Sequence, residues 1–206
     1  MLTQQGIFKG RTQIPYNYSR YGYTRGGGKT WHGGVDLVGL DDTTIRMPFY
    51  KGKTIRGTVM RARRVINRQN KTWEWGWYVC VKLDDAQTPD AVNYLYFCHC
   101  DKLLVTAGQK VISGDALGIM GNTGNAVGGY KHCHLEVRAT ADGKGLDPTA
   151  YTGARNAVGV YGTAEQPASA SVWDTDGPWR IEAATGQDKA ALRKVCEAAG
   201  LSVSAL

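Results

Sequence analysis

His132-Cys133-His134-Leu135-Glu136-Val137-Arg138 alternates polar and apolar side chains without a break. Period two is the signature of a strand with one face on a core and the other turned outward. On such a strand His132 and His134 project together, Cys133 points to the opposite side, and Glu136 falls on the histidine face. There it is placed to accept from an imidazole N–H.

Working outward, residues 54–66, 76–83 and 92–100 read as strands. Tyr78-Val79-Cys80-Val81 and Tyr94-Leu95-Tyr96-Phe97 are rich in β-branched and aromatic residues. Residues 67–75 form a polar loop carrying Trp73 and Trp75. Glycine-bearing turns at 108–111 and 118–124 separate further short strands, and no helix is evident before residue 151. With 27 glycines in 206 residues, tight turns dominate. The expected fold is mainly β: an antiparallel sheet domain over 1–151, a small polar linker over 152–178, and a strand–helix–strand element over 179–206. A strand–helix–strand of that size cannot bury a core alone.

The five cysteines, Cys80, Cys98, Cys100, Cys133 and Cys196, are odd in number and include no Cys-x-x-Cys pair. They predict free thiols made in a reducing compartment rather than a disulfide framework. Pleat alternation turns Cys98 and Cys100 away from His99, so all three cysteines beside histidines are expected to pack rather than to ligate. The net charge of +7, densest around Arg61, Arg63, Arg64, Arg68 and Lys71, favours a polyanionic partner or a charge-protected sheet edge. No helix-turn-helix, zinc-finger or RNA-binding motif accompanies it, so a nucleic-acid partner is not expected. No apolar run approaches the roughly 20 residues of a bilayer span. No secretory signal is visible at the N-terminus, so either the protein is made in the cytoplasm and released another way, or the sequence is a piece of a longer chain.

The chain has four histidines: His32, four residues before Asp36 in Trp31-His32-Gly33-Gly34-Val35-Asp36, His99, and the pair His132 and His134. A catalytic zinc takes three protein ligands and leaves one position for water, and two imidazoles with one carboxylate suit it.

The order His32-x-x-x-Asp36, Tyr96-Phe97-Cys98-His99, Gly108-Gln109-x-Val111, Gly121-Asn122-Thr123-Gly124, His132-Cys133-His134-Leu135-Glu136 resembles the lysostaphin-type, LytM-like zinc peptidases. Leu146-Asp147-Pro148-Thr149-Ala150-Tyr151 resembles the closing segment of that domain. The resemblance implies Zn²⁺ held by His32, Asp36 and His134, with His99 and His132 as catalytic histidines that do not bind the metal. It implies an endopeptidase acting on bacterial peptidoglycan, of the kind found in phage or prophage lysins, or alternatively an inactive wall-binding or regulatory relative. An aromatic hydroxyl often precedes the first ligand in that family, with Tyr23 and Tyr21 as candidates here. Cys133 and Cys98 depart from its usual residues at core-facing positions. Trp73, Trp75 and the segment 125–130 are candidate walls of a substrate groove.

Overall fold

The computed structural model describes residues 2–85 and 87–163. Among these residues the fold is mainly antiparallel β. One large sheet runs, in spatial order, through Lys110–Ile112, Arg56–Arg64, Trp77–Leu83, Tyr94–Cys98, Cys133–Arg138, Val35–Gly39, Thr12–Ile14 and Gly159–Tyr161. Gly145–Leu146 pairs alongside Cys133–Arg138. A three-stranded sheet (Thr44–Arg46, Ala116–Ile119, Lys102–Leu103) and the hairpin Gly22–Arg25 with Thr30–His32 complete it. The one α-helix described is the single turn Thr149–Thr152. No described helix is long and apolar enough to cross a membrane.

Register explains how one strand serves both core and site. Leu135 pairs with Val35 on one side and Phe97 on the other, and Phe97 pairs with Val79. That row lies on the apolar face, buried with Leu37, Leu95, Val81, Cys133 and Val137. One residue along, His134 pairs with Asp36 and with Cys98, and this row lies on the opposite face. Each fully buried aliphatic or aromatic side chain contributes about 1.5–3 kcal/mol, so the hydrophobic row locks the register and the polar row follows.

Three expectations are corrected. First, His99 is not inside a strand. The strand ends at Cys98, and His99 adopts the left-handed φ of 65°, with its N–H donating to the Trp75 carbonyl. Alternation therefore breaks there: Cys98 shares the face of His134, packed in a second cluster with Val65, Tyr78, Cys80 and Tyr96. Second, the segment expected to be linker from residue 152 onward contributes a strand. Gly159–Tyr161, read as part of a linker, pairs with Thr12–Ile14 at the edge of the large sheet. Its short length and the glycine that opens it hid it from pattern reading. Third, one helical turn does form at Thr149–Thr152, where Gly153 takes the left-handed conformation that ends it. The strand–helix–strand reading of 179–206 lies outside the described residues.

Cys80, Cys98, Cys100 and Cys133 are free thiols and buried. Burial pushes all four thiol pKa values up, far above the ordinary value at Cys98 and Cys133. They pack within the two apolar clusters, and none joins the group of described side chains that could hold a metal ion.

Candidate metal centre

His32, Asp36 and His134 converge from two strands of the large sheet and the neighbouring hairpin. Asp36 Oδ1 lies 2.9 Å from His134 Nδ1 and 3.3 Å from His32 Nε2, and the two imidazole nitrogens are 3.0 Å apart. Three tetrahedral donors on a metal with bonds of about 2.0–2.1 Å lie roughly 3.3 Å from one another. The observed triangle is that size, and the donor set is borderline nitrogen with hard oxygen, so the residues fit zinc.

The surrounding contacts fix which nitrogen each imidazole offers. A backbone carbonyl can only accept, so His32 Nδ1–H donates to Arg20 O at 2.8 Å and leaves Nε2 as the donor atom toward a metal. His134 is turned the other way, with Nδ1 inward and Nε2 facing Glu136 Oε2 at 3.6 Å. Glu136 is itself held by Arg138 Nε at 2.9 Å. Gly34 makes this packing possible. A Cβ built there would stand 2.4 Å from the Leu135 carbonyl oxygen and 2.8 Å from the His134 ring, so no side chain fits at that position.

His99 and His132 sit beside the triangle, their ring centroids 4.8 Å apart. His99 Nδ1–H donates to Thr123 O at 2.8 Å and His132 Nδ1–H to Tyr130 O at 3.0 Å. Both therefore present Nε2 as an acceptor, and His132 Nε2 comes within 3.8 Å of Asp36 Oδ1. Burial, aided by the neighbouring His134 and His132, pushes the His99 pKa down to about 3. Burial also lowers His132. Both are neutral near pH 7, the state a proton acceptor requires. At Asp36 burial acts upward, but hydrogen bonds from His134 and His32 outweigh it and hold the carboxyl well below its usual range. At His134 burial acts downward, and Asp36 and Glu136 overcome it, raising the imidazole to about 9.

The sequence placed all five of these residues, and the structure brings them together; it also places Glu136 against His134. Tyr23 is corrected: it is 65% exposed, packs its ring edge on Trp31, and does not line the site. Tyr21 hydroxyl reaches Gly145 O instead. The groove, about 350 Å³, is lined by Tyr18, Arg25, Trp31, Glu74, Trp75, Asn125, Ala126 and Tyr130 around the five site residues. Trp75 is thus a wall, as are residues 125, 126 and 130, whereas Trp73 packs against the second cluster and under Arg68. Tyr18 and Arg25 were missed, and Tyr130 was read only as part of the segment 125–130. Tyr130 stands two residues before His132 and its carbonyl orients that ring, a spacing that could have drawn notice.

The chain belongs to Peptidase family M23, whose family model matches residues 31–148, a span holding all five site residues. It is similar in structure to the catalytic domain of the antimicrobial peptidase lysostaphin from Staphylococcus simulans, at 21% identity over 64% of this chain and 86% of that one, TM-score 0.47. It is also similar to the catalytic domain of a point variant of the prophage-encoded M23 protein EnpA from Enterococcus faecalis, at 22% identity over 65% of this chain and 88% of that one, TM-score 0.46. A zinc-containing peptidase from Vibrio cholerae matches at 24% identity over 71% of this chain and 38% of that one, TM-score 0.44.

Proposed function

We propose that this chain is a zinc-dependent endopeptidase that hydrolyses an amide bond in the peptide portion of bacterial peptidoglycan, acting at the cell wall as a phage or prophage-type lysin. The observation that carries the reading is the convergence of His32 Nε2, Asp36 Oδ1 and His134 Nδ1 beside two neutral imidazoles in an open groove. Bound zinc supplies a Lewis acid and lowers the pKa of water from 15.7 to about 7 in favourable sites. His32, Asp36 and His134 would hold it, and Glu136 would keep His134 turned with Nδ1 inward.

His99 and His132 supply the proton traffic. One accepts the proton of the attacking water as the C–O bond forms. The imidazolium so formed returns that proton from Nε2 to the leaving amine nitrogen as the C–N bond breaks, and the other imidazole, its Nε2 unprotonated, can accept the second water proton. Their Nδ1–H bonds to Thr123 and Tyr130 carbonyls keep both Nε2 atoms on the groove side throughout. The lysostaphin-type order of motifs supports peptidoglycan as the substrate, and the positive net charge suits an anionic wall surface.

The test is digestion of purified sacculi of different cross-link type by zinc-loaded protein, with released fragments identified by mass spectrometry. New amine termini that disappear on chelation and in His132→Ala are expected. Intact sacculi throughout would overturn the reading.

A further inference from the structure

We infer that Arg25 is a receptor for a substrate carboxylate at the rim of the metal pocket, so that the groove selects peptides carrying a free carboxylate next to the bond it cleaves. The second clause rests on the peptidase reading above; the first does not.

The hairpin aims Arg25 there through a bulge. Gly22 pairs with His32 and Tyr23 with Trp31, but the register then slips, and Arg25 rather than Thr24 pairs with Thr30. Thr30 and His32 share a face, so the extra residue turns Arg25 onto the side of the ligands. Regular alternation would have put it outside with Tyr23.

Its contacts pin the guanidinium without exhausting it. Nε donates to Tyr18 O at 3.3 Å, and Nη2 reaches Asp36 Oδ2 at 3.1 Å and His32 Nε2 at 2.9 Å. Nη1 has no hydrogen-bond partner among the described residues, and the side chain is 41% exposed to the groove. His32 Nε2 has one lone pair, which serves either Arg25 or a metal. When the metal takes it, Nη2 keeps Asp36 and loses an acceptor. A planar cation is then anchored at one edge, with unused N–H donors on both terminal nitrogens. That fork matches the two oxygens of a carboxylate. Asp36 Oδ1 faces the ligand triangle and Oδ2 faces Arg25, so the carboxylate serves both without competition.

The experiment uses zinc-loaded wild type, Arg25→Gln and Arg25→Lys. The probes are the stem tetrapeptide L-Ala-D-isoGln-L-Lys-D-Ala, in which the C-terminus is the one carboxylate, and pentaglycine, each as free acid and as C-terminal amide. Binding is read by calorimetry, probe integrity by mass spectrometry, and zinc by elemental analysis. Wild type is expected to bind at least one acid about tenfold more tightly than its amide, as a charge-assisted bidentate contact does. Arg25→Gln should lose that preference while retaining zinc, and Arg25→Lys should keep only part of it.

Equal binding of acid and amide by wild type overturns the inference, as does failure of every probe to bind. Preference retained in Arg25→Gln would assign the carboxylate to the metal. Tighter zinc in Arg25→Gln with unchanged probe discrimination would make Arg25 only a counter-cation for Asp36. Sacculus digestion reports separately. Cleavage without carboxylate discrimination sinks the Arg25 assignment alone, and discrimination without cleavage sinks the peptidoglycan reading alone.

Discussion

Asp36 and His134 are register partners in adjacent antiparallel strands, and their side chains meet at 2.9 Å between Oδ1 and Nδ1. In the metal-free protein this contact holds the proton on His134, whose pKa is raised to about 9. A metal needs the Nδ1 lone pair, so its binding at neutral pH expels that proton. Zinc affinity is therefore expected to rise about tenfold per pH unit below about pH 9 and to level above it. Chelator competition across that range, with proton release followed by indicator dye, checks the slope. A flat profile would contradict the assignment.

Ligand and catalyst separate by substitution. His134→Ala should lose zinc by elemental analysis. His132→Ala should retain it and lose turnover by about 10²–10⁴-fold, the usual worth of a general acid or base. Wild-type hydrolysis by His132→Ala would refute the division of labour.

Glu136 touches no metal, yet it faces His134 Nε2 at 3.6 Å and takes a hydrogen bond from Arg138. Glu136→Gln should weaken zinc binding about 10–100-fold, the range seen when an outer carboxylate is removed from a ligating imidazole. The fold should survive, which circular dichroism would show.

His99 makes the metal-free protein sensitive to acid. Its folded pKa, about 3, lies below the unfolded value near 6.5. The unfolded chain therefore binds a proton first, and stability falls as pH drops below the unfolded value. Between about pH 6.5 and about pH 4.5 the loss from this group is about 2 kcal/mol. In that window His134 stays charged in the fold while the unfolded chain completes its protonation, a smaller opposing contribution, and His132, also lowered by burial, adds to the loss. His99→Asn, which tolerates the left-handed backbone, should flatten the dependence in urea denaturation with chelator present.

Gly34→Ala tests close packing. The new methyl would enter the space of the Leu135 carbonyl and the His134 ring, costing about 3 kcal/mol or more. A lowered melting temperature and reduced zinc content are expected together.

The sheet and the candidate donors were legible because alternation and residue chemistry are displayed in sequence, whereas the division of the five residues into ligands and catalysts came from the order of motifs in the family resemblance. What escaped were breaks in that alternation. His99 reaches the site through a left-handed residue after its strand has ended, and Arg25 through a bulge; neither leaves a local signature in residue type. Tyr23 came from the family resemblance rather than from alternation, and its ring lies exposed against Trp31. Gly159–Tyr161 was missed because a glycine, an exposed valine and a tyrosine show no pattern until Thr12–Ile14 lies beside them.

A single strand, Cys133–Arg138, carries the interior on its odd positions and the chemistry on its even ones. Lengthening it by one residue would exchange the two, putting imidazoles in oil and leucine in water. The connecting segments that rim the groove, holding Glu74, Trp75, Asn125, Ala126 and Tyr130, carry no such constraint, because their length can change without reversing a face.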